Sequence, residues 1–277
     1  MSGNCVSDGA RLSFSDTGTG LPVVLLHPTP LDRDYWRPLT RELAGIRAIV
    51  PDLRGHGLSE LGSSLPTGGF ARVPSAPVLT MEQLAADTLA LLDHLKVSKA
   101  IFGGCSIGGY VLLQLWRRAP QRTLGMVFVC SKPQPDTEAS LAKRVETIAR
   151  AKAEGVSALF DGMAQNTVAP SVRRERPEIV AEVRAQMTLT PEAVVAVQAG
   201  LAARPDSVPT VATIRVPVLA IAGAEDASIT AADMEAFRAA PGGCVFHVLP
   251  GAGHFAAYEH PKKVAALLAP WLRQFEA

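Results

Sequence analysis

The sequence predicts an α/β protein with a mostly parallel, doubly wound sheet and an inserted helical segment. Short apolar runs alternate with helical patterns along the chain, which is the order that parallel sheets require. These runs are apolar on both faces, as strands buried between two helical layers must be. The chain has 277 residues, 48% hydrophobic and 19% charged. It can therefore bury one large core and does not resemble a disordered protein.

The elements of this core follow in chain order. The turn signal Asp8-Gly9 precedes an alternating run at residues 12–15, which indicates an opening hairpin. Residues 80–83 have the pattern of a capping box, and the leucines after it predict a helix through about Leu95. Continuous apolar runs predict the remaining strands at residues 23–26, 48–50, 100–102, 126–129, 218–221 and 245–249.

Two segments interrupt this alternation. Residues 132–206 carry helical spacing but no strand signal, and Thr190-Pro191 has the pattern of an N-cap followed by proline at the first helical position. We therefore predict a core formed by residues 1–131 and 207–277, with a helical insertion at 132–206. The stretch 62–78 is rich in glycine, proline and serine and is long for a loop in a compact domain.

Composition narrows the classes of partner and cofactor. The net charge of +1 gives no reason to expect nucleic acid or an anionic membrane. No apolar stretch reaches the roughly 18–20 residues of a spanning helix, and the N-terminus lacks the pattern of a signal peptide. The four cysteines lack metal-ligand spacing, and no phosphate-binding glycine loop appears. We therefore predict a cytoplasmic protein whose thiols are reduced and which uses no metal or cofactor. The predicted partner is a small-molecule substrate, and a homodimer is a possible assembly.

Ser106 is the candidate nucleophile. It is the central residue of a G-x-S-x-G pattern at residues 104–108, directly after a predicted strand and before a predicted helix. That context forces the central residue into a strained turn, and the flanking glycines let strand and helix pass closely. The serine hydroxyl is then exposed at the strand end, above a helix N-terminus that stabilises negative charge.

A serine hydroxyl needs a base, and the base needs an orienting acid. His254 follows the last predicted strand in a glycine-flanked loop, at the sheet edge where ligands bind in open α/β folds. His260 is its nearest competitor, although a capping or surface role suits that residue better. Asp226 is the preferred acid because it follows the strand at 218–221, and Glu225 is the alternative. The order Ser106, Asp226, His254 is the one associated with G-x-S-x-G hydrolases.

With these residues, the chain resembles the α/β-hydrolase fold superfamily along nearly its whole length. The features that carry the resemblance are the sequence at residues 25–27, the segment 51–59, the elbow, the acid turn at 223–226 and Gly253-His254. The segment 51–59 is typical of the branch with small esterases, enol-lactonases, cofactor-free haloperoxidases and carbon–carbon bond hydrolases. The resemblance implies an α/β-hydrolase fold in which the insertion at 132–206 is a helical cap over the active site.

The chain departs from this family at the predicted oxyanion loop. Where the family usually has His-Gly, this sequence has His27-Pro28-Thr29-Pro30. Proline has no N–H to donate, so by family position Thr29 supplies one oxyanion donor. The second is the N–H of Ile107, the residue after the nucleophile. The two prolines either stiffen or distort this loop. We expect His27 and the nearby His56 to have structural roles.

The predicted function is a serine hydrolase that cleaves carboxylic esters or lactones through an acyl-enzyme on Ser106. A largely uncharged acyl substrate is expected, and the predicted pocket residues are Trp36, Cys105, Ser131, Met163 and Phe255. An enol-lactonase would need a cation for the substrate carboxylate, and Arg54 or Lys132 could supply it. A carbon–carbon bond hydrolase and a perhydrolase or haloperoxidase use the same three residues. From a different class, a non-catalytic ligand receptor on the same fold is the alternative.

Overall fold

The computed structural model describes residues 2–63 and 65–275 and contains one eight-stranded sheet in the order β1-β2-β4-β3-β5-β6-β7-β8. The first two strands form the predicted hairpin, and β2 pairs antiparallel with β4. Every other pairing is parallel. This confirms the predicted mostly parallel sheet. The strands are β1 (Ser2–Ser7), β2 (Ala10–Gly18), β3 (Leu21–Leu26), β4 (Ile46–Pro51), β5 (Ala100–Cys105), β6 (Thr123–Val129), β7 (Val218–Gly223) and β8 (Cys244–Leu249).

Helices connect and flank the strands. They are α1 (Arg37–Thr40), α2 (Met81–His94), α3 (Ile107–Arg118), α4 (Glu138–Glu154), α5 (Ser157–Thr167), α6 (Pro170–Glu175), α7 (Glu178–Ala185), α8 (Pro191–Ala202), α9 (Val208–Val211), α10 (Ala231–Met234), α11 (Ala256–Glu259) and α12 (Pro261–Leu272). The predicted N-cap of α8 is confirmed, because the Thr190 side chain accepts the N–H of Ala193 at 3.2 Å. Within residues 2–63 and 65–275, no helix is long and apolar enough to cross a membrane.

The order of the strands determines where a site can form. The chain runs from β3 outward to β4 and then returns to place β5 on the other side of β3. Loops that leave β3 and β5 therefore diverge, and in open α/β sheets ligands bind in the crevice that this divergence creates. The segment after β3 contains Thr29, and the residue after β5 is Ser106.

Two local predictions need correction. The residues of β8 were expected to be buried on both faces, but Val245 and Val248 are 47% and 46% exposed. The reason is that β8 is the last strand of the sheet and has a partner on one side only. The capping box of α2 is half formed: Thr80 accepts the N–H of Gln83 at 3.1 Å. No bond from the Thr80 N–H to the Gln83 side chain is found in the described part of the chain, and the Gln83 amide nitrogen donates to Asp87 at 3.0 Å.

The helices α4 to α8 lie between β6 and β7, within the segment for which an insertion was predicted. Buried charges tie its two ends together. The carboxylate of Asp136, before α4, is paired with Arg144 on α4 and lies 2.8 Å from Arg204, after α8. The insertion also contacts the core through α8, where the carbonyl of Ala196 accepts the N–H of Leu79 at 3.0 Å.

Candidate active site

Ser106 lies on the sharp turn between β5 and α3, in the strained conformation that the sequence predicts for it. Its φ is 52° and its ψ is −117°, a region that costs a non-glycine residue about 1–3 kcal/mol. The flanking glycines allow this turn. A Cβ on Gly104 would lie 2.4 Å from the carbonyl carbon of Gly108, and one on Gly108 would lie 2.3 Å from the carbonyl oxygen of Leu26.

The turn is held from below by β6 and the residues after it. The backbone N–H of Ser106 donates to the Val129 carbonyl at 3.2 Å. The Ser131 hydroxyl donates to the carbonyl of Ser106 at 2.9 Å, and Ser131 is fully buried. The prediction of Ser131 as a pocket residue is therefore corrected, because its hydroxyl fastens the backbone of the turn from beneath.

His254 and Asp226 form a buried pair at the same end of the sheet. The Nδ1 of His254 lies 2.8 Å from Oδ2 of Asp226, whose side chain has no exposed surface. The other oxygen, Oδ1, accepts the N–H groups of Ser228 at 2.8 Å and Ile229 at 3.0 Å. The alternative acid, Glu225, instead accepts the N–H of Ser171 at 3.0 Å. The geometry therefore favours Asp226 as the partner of His254.

This pair shifts the pKa of both groups. Burial alone would raise the pKa of Asp226, but the adjacent His254 and the two backbone donors outweigh it, so the pKa is lowered. Burial alone would lower the pKa of His254, but the charge and hydrogen bond of Asp226 outweigh it, so the pKa is raised above the usual 6.5. The pair thus favours an ionised aspartate and strengthens the imidazole as a base.

The turn that carries Ser106 and the loop that carries His254 are in contact through Cys105, although the Ser106 hydroxyl forms no hydrogen bond with any described residue. The thiol of Cys105, beside Ser106, donates to the His254 carbonyl at 3.6 Å, which brings the two loops into contact. Among residues 2–63 and 65–275, Ser106 Oγ has no hydrogen-bond partner within 3.5 Å. In free enzymes such bonds are often long and tighten only when substrate is present.

Among the described residues, the backbone N–H groups of Thr29 and Ile107 each lack an acceptor. Ile107 is the first residue of α3, whose N–H points out of the helix N-terminus. Both groups belong to the segments that diverge from β3 and β5. These are the donors predicted for an oxyanion hole, and unpaired N–H groups are what such a hole requires.

Two buried histidines hold the loop that contains Thr29. The Nδ1 of His27 donates to the Pro28 carbonyl at 3.0 Å, and its Nε2 accepts the N–H of Leu53 at 2.9 Å. The Nδ1 of His56 bonds the Arg54 carbonyl, so its Nε2 accepts the hydroxyl of Thr29 at 3.0 Å. Burial lowers the pKa of His27 to about 4 and that of His56 to about 3. Both rings are therefore neutral and hold the loop by hydrogen bonds, consistent with the structural role expected from the sequence.

A small cavity lies between this loop and the helical insertion. Its volume is about 10 Å³, room for roughly one water molecule. From the core it is lined by Thr29 and Pro30, and from the insertion by residues that include Met163 and Gln198. Met163, one of the predicted pocket residues, lines this cavity.

Three other predicted pocket residues lie in the interior instead. Trp36, Cys105 and Phe255 are at most 1% exposed and do not line the cavity beside Thr29. The Cys105 thiol accepts the Tyr35 hydroxyl at 3.2 Å, and the Tyr35 ring packs against both Trp36 and Phe255. These side chains form an aromatic support behind the turn and the His254 loop. They correct the predicted pocket lining.

The two candidate cations for a substrate carboxylate are engaged elsewhere. Arg54 is 2% exposed and forms a bidentate pair with Asp87, at 2.6 and 2.8 Å. Lys132 Nζ lies 3.8 Å from Asp233. Neither residue lines the cavity beside Thr29. In the described part of the chain, no group of three or more histidine, cysteine, aspartate or glutamate side chains could hold a metal ion.

Glu259 is a residue near the site that sequence reasoning missed. It is fully buried, and its carboxylate accepts the N–H groups of Gly253 at 2.8 Å, Phe255 at 3.1 Å and Ala169 at 3.3 Å. It therefore clamps the loop on both sides of His254 and ties that loop to the insertion. The only sequence signal is a glutamate within an otherwise apolar stretch after the histidine.

We expect Glu259→Gln to lower kcat/KM by about 10²-fold, the scale on which small misplacements of a catalytic group act. The glutamine Nε2 cannot accept a hydrogen bond, so at least one of the three N–H groups loses its partner. The charge of Glu259 also helps to raise the pKa of His254, so the acid limb of the pH profile should move to lower pH. Glu60→Gln, at an exposed ion pair with Arg11, is the matched control. If Glu259→Gln left both kcat/KM and the acid limb of the pH profile unchanged, this positioning role would be contradicted.

The geometry agrees with comparisons against known proteins. Residues 23–267 match the model of the alpha/beta hydrolase family. The chain belongs to this family. A thermophilic esterase from Thermogutta terrifontis is 34% identical, with a TM-score of 0.88 over 99% of this chain and 97% of that one. The 3-oxoadipate enol-lactonase 2 of Acinetobacter baylyi is 31% identical over 67% of this chain.

Other relatives are matched to different extents. The chain covers 63% of that enol-lactonase, and 41% and 27% of two further curated relatives. It covers 93% of a 2-succinyl-6-hydroxy-2,4-cyclohexadiene-1-carboxylate synthase from Salmonella heidelberg, at 26% identity over 91% of this chain. The family match, the esterase and the enol-lactonase support a hydrolase.

Proposed function

We propose that this chain is a serine hydrolase that cleaves carboxylic esters or lactones through an acyl-enzyme on Ser106. One observation carries the proposal: a serine on a strained strand–helix turn follows a cysteine whose thiol bonds the carbonyl of a buried histidine, and Nδ1 of that histidine is 2.8 Å from an aspartate. A strained turn presents the serine hydroxyl for attack, and a buried carboxylate orients the histidine as a base. Both features are required for catalysis and are not required for a purely structural role. The esterase and enol-lactonase relatives act on this class of bond by name.

The first half of the proposed reaction forms the acyl-enzyme. Ser106 Oγ attacks the carbonyl carbon while Nε2 of His254 takes the hydroxyl proton, and Asp226 stabilises the imidazolium. The carbonyl oxygen becomes an oxyanion that accepts the N–H groups of Thr29 and Ile107. When the carbon–oxygen bond breaks, His254 returns the proton to the leaving alkoxide and an alcohol departs.

The second half releases the acid. A water molecule attacks the acyl carbon and gives its proton to Nε2 of His254. The same two N–H groups hold the second oxyanion. Collapse breaks the bond to Ser106 Oγ, which regains its proton from His254, and the carboxylic acid leaves. For a lactone, the alcohol stays attached to the acid product.

We also propose that the helical insertion, residues 132–206, is a cap over this site. The cavity beside Thr29 supports this, since all its lining residues other than Thr29 and Pro30 come from the insertion. A cap that excludes water strengthens the hydrogen bonds to the oxyanion. A cytoplasmic location and a homodimer stay predictions.

The experiment that tests the function is turnover of p-nitrophenyl esters of rising chain length, together with lactones. We expect a burst of p-nitrophenol equal to the enzyme concentration whenever deacylation is slower than acylation, which is the kinetic signature of an acyl-enzyme. A fluorophosphonate probe should label the folded protein. A folded protein that neither turns over any ester or lactone nor reacts with the probe would favour the ligand-receptor alternative.

We expect kcat/KM to fall as the pH drops through a midpoint above 6.5. His254 must be neutral to take the proton, and Asp226 raises its pKa. Protonation of His254 at lower pH therefore removes the base. The pKa of Asp226 is lowered, and those of His27 and His56 are about 4 and about 3, so none of them accounts for a limb in this range. The profile is measured from pH 5 to 9, and a midpoint below 6 would be inconsistent with His254 as the base.

A further inference from the structure

The cavity beside Thr29 indicates which acyl groups the site accepts, an inference that rests on the proposed hydrolase function. Thr29 carries one of the two proposed oxyanion donors and lines this cavity. The cavity therefore lies beside one of the two proposed oxyanion donors, where the acyl chain of a bound substrate would begin. The cavity is small, but Leu159 and Met163 are only partly buried. Methionine has three rotatable bonds and repacks readily, so a chain can enter by displacing them.

Most of the residues in the wall are apolar. Its apolar members are Pro30, Leu159, Phe160, Met163 and three further aliphatic residues, and no charged residue lines it. A carboxylate on the substrate would lose its hydration here without gaining a direct cationic partner. The wall therefore favours an uncharged acyl chain.

Three residues of the wall have polar side chains, and two of them have already used their hydrogens. The hydroxyl of Thr29 donates to His56, as described above. The hydroxyl of Thr147 donates to the Lys143 carbonyl at 2.8 Å. Each has only acceptor capacity left. The third is Gln198, which is 9% exposed.

The orientation of the Gln198 amide follows from its partner. Arg144 Nη1 lies 2.8 Å from Oε1 of Gln198. Arginine can only donate, so the oxygen must face the guanidinium and Nε2 must be the other end of the amide. Among residues 2–63 and 65–275, Nε2 has no hydrogen-bond partner. It is therefore the unpaired side-chain donor of the wall.

Buried charge keeps the amide in this orientation. The remaining donors of Arg144 bond the carboxylate of Asp136, which is 5% exposed at its side chain and also lies 2.8 Å from Arg204. Arg144 is thereby fixed and cannot turn toward the cavity without losing this pair. Its charge also polarises the amide of Gln198, which makes the N–H groups of Nε2 better donors.

We propose that Gln198 Nε2 is a specificity determinant that donates a hydrogen bond to a carbonyl or ether oxygen on the acyl chain of an uncharged ester or lactone. The preferred substrate class is then an oxo- or alkoxy-substituted aliphatic acyl group. An unsubstituted chain leaves the amide unpaired, and a site with an unpaired polar group rejects the substrate that lacks its partner.

The test compares p-nitrophenyl esters with six-carbon acyl chains that differ in one feature: the hexanoate, the 4-oxo and 5-oxo hexanoates, and the anionic adipate monoester. The wild-type protein should show a higher kcat/KM with at least one oxo ester than with the hexanoate. Gln198→Met keeps the side-chain length and removes the donor. It should lower the ratio of oxo ester to hexanoate about five- to tenfold, the range of one neutral hydrogen bond.

Thr147→Val is the matched control, because it alters a polar residue of the same wall whose hydroxyl is already donated. The ratio of oxo-ester to hexanoate kcat/KM in this variant should stay within about twofold of the wild-type ratio, because no donor to the substrate is lost. If the wild-type protein gives a ratio of oxo-ester to hexanoate kcat/KM at or below one for both oxo esters, that result alone overturns the proposal. So does a Gln198→Met protein with an unchanged ratio, or a preference for the adipate monoester. Failure to hydrolyse any of these esters would instead count against the proposed hydrolase function.

Discussion

Ser106→Ala should lower kcat for ester hydrolysis by about 10⁶-fold, the largest effect expected for any substitution in this protein. Alanine has no atom that can attack the carbonyl. The hydroxyl of Ser131 cannot substitute for it, because it is buried under the turn and is donated to the carbonyl of Ser106 itself. Alanine has a Cβ like serine and so faces the same strain at φ 52°, which leaves the turn no worse than before.

Turnover of a p-nitrophenyl ester and labelling by a fluorophosphonate measure this loss, with circular dichroism to show that the variant is folded. Ser98→Ala is the matched control. Ser98 is exposed and lies two residues before β5 begins at Ala100, whereas Ser106 follows the end of that strand. That variant should keep wild-type turnover and labelling. If Ser106→Ala retained both, the nucleophile would have to be another residue.

Asp226→Asn should lower kcat by about 10⁴-fold, as loss of the orienting acid does in enzymes of this type. The reason lies in the hydrogen bonds around the carboxylate. The N–H groups of Ser228 and Ile229 require an acceptor, so the asparagine oxygen must face them. Its amide hydrogens then face Nδ1 of His254, which must accept. The ring proton moves to Nε2, and Nε2 can no longer take the proton of Ser106.

Glu225→Gln is the control for Asp226→Asn, because it changes the neighbouring acid that the sequence left as an alternative. Its carboxylate accepts the N–H of Ser171, and a glutamine oxygen can do the same. Activity should therefore fall less than about tenfold, within the range of an indirect effect. The measurement is kcat for the same ester at pH 8. A large loss in Glu225→Gln together with a small one in Asp226→Asn would reverse the assignment.

Much of the fold was accessible from the sequence, because strands and tight turns have short-range signals. The apolar runs at 23–26 and 100–102 lie in β3 and β5, and the turn at Ser106 has the predicted strained conformation. The exception in β8 shows the limit of this signal. An apolar run indicates a strand, but its place at the edge of the sheet depends on the pairing of all the strands.

The pocket was predicted poorly for a different reason. Trp36, Cys105 and Phe255 are close in sequence to the turn or loop that each supports, and apolar residues there could face either a ligand or the core. The structure places them in the core. Glu259 had no recognisable pattern, because its partners Gly253, Phe255 and Ala169 come from two separate segments.

The sequence by itself determined the class of fold and the turns at the strand ends, because periodicity and glycine placement act within a few residues. It also narrowed the acid to two adjacent carboxylates. Only the tertiary structure decided that Asp226 and not Glu225 faces His254, that Glu259 clamps the His254 loop, and that the amide nitrogen of Gln198 is left unpaired in the wall of the cavity beside Thr29. Each of these outcomes depends on which distant segments come into contact and on the direction in which each side chain points. Both are determined by hydrogen bonds between residues far apart along the chain, which local sequence patterns do not encode.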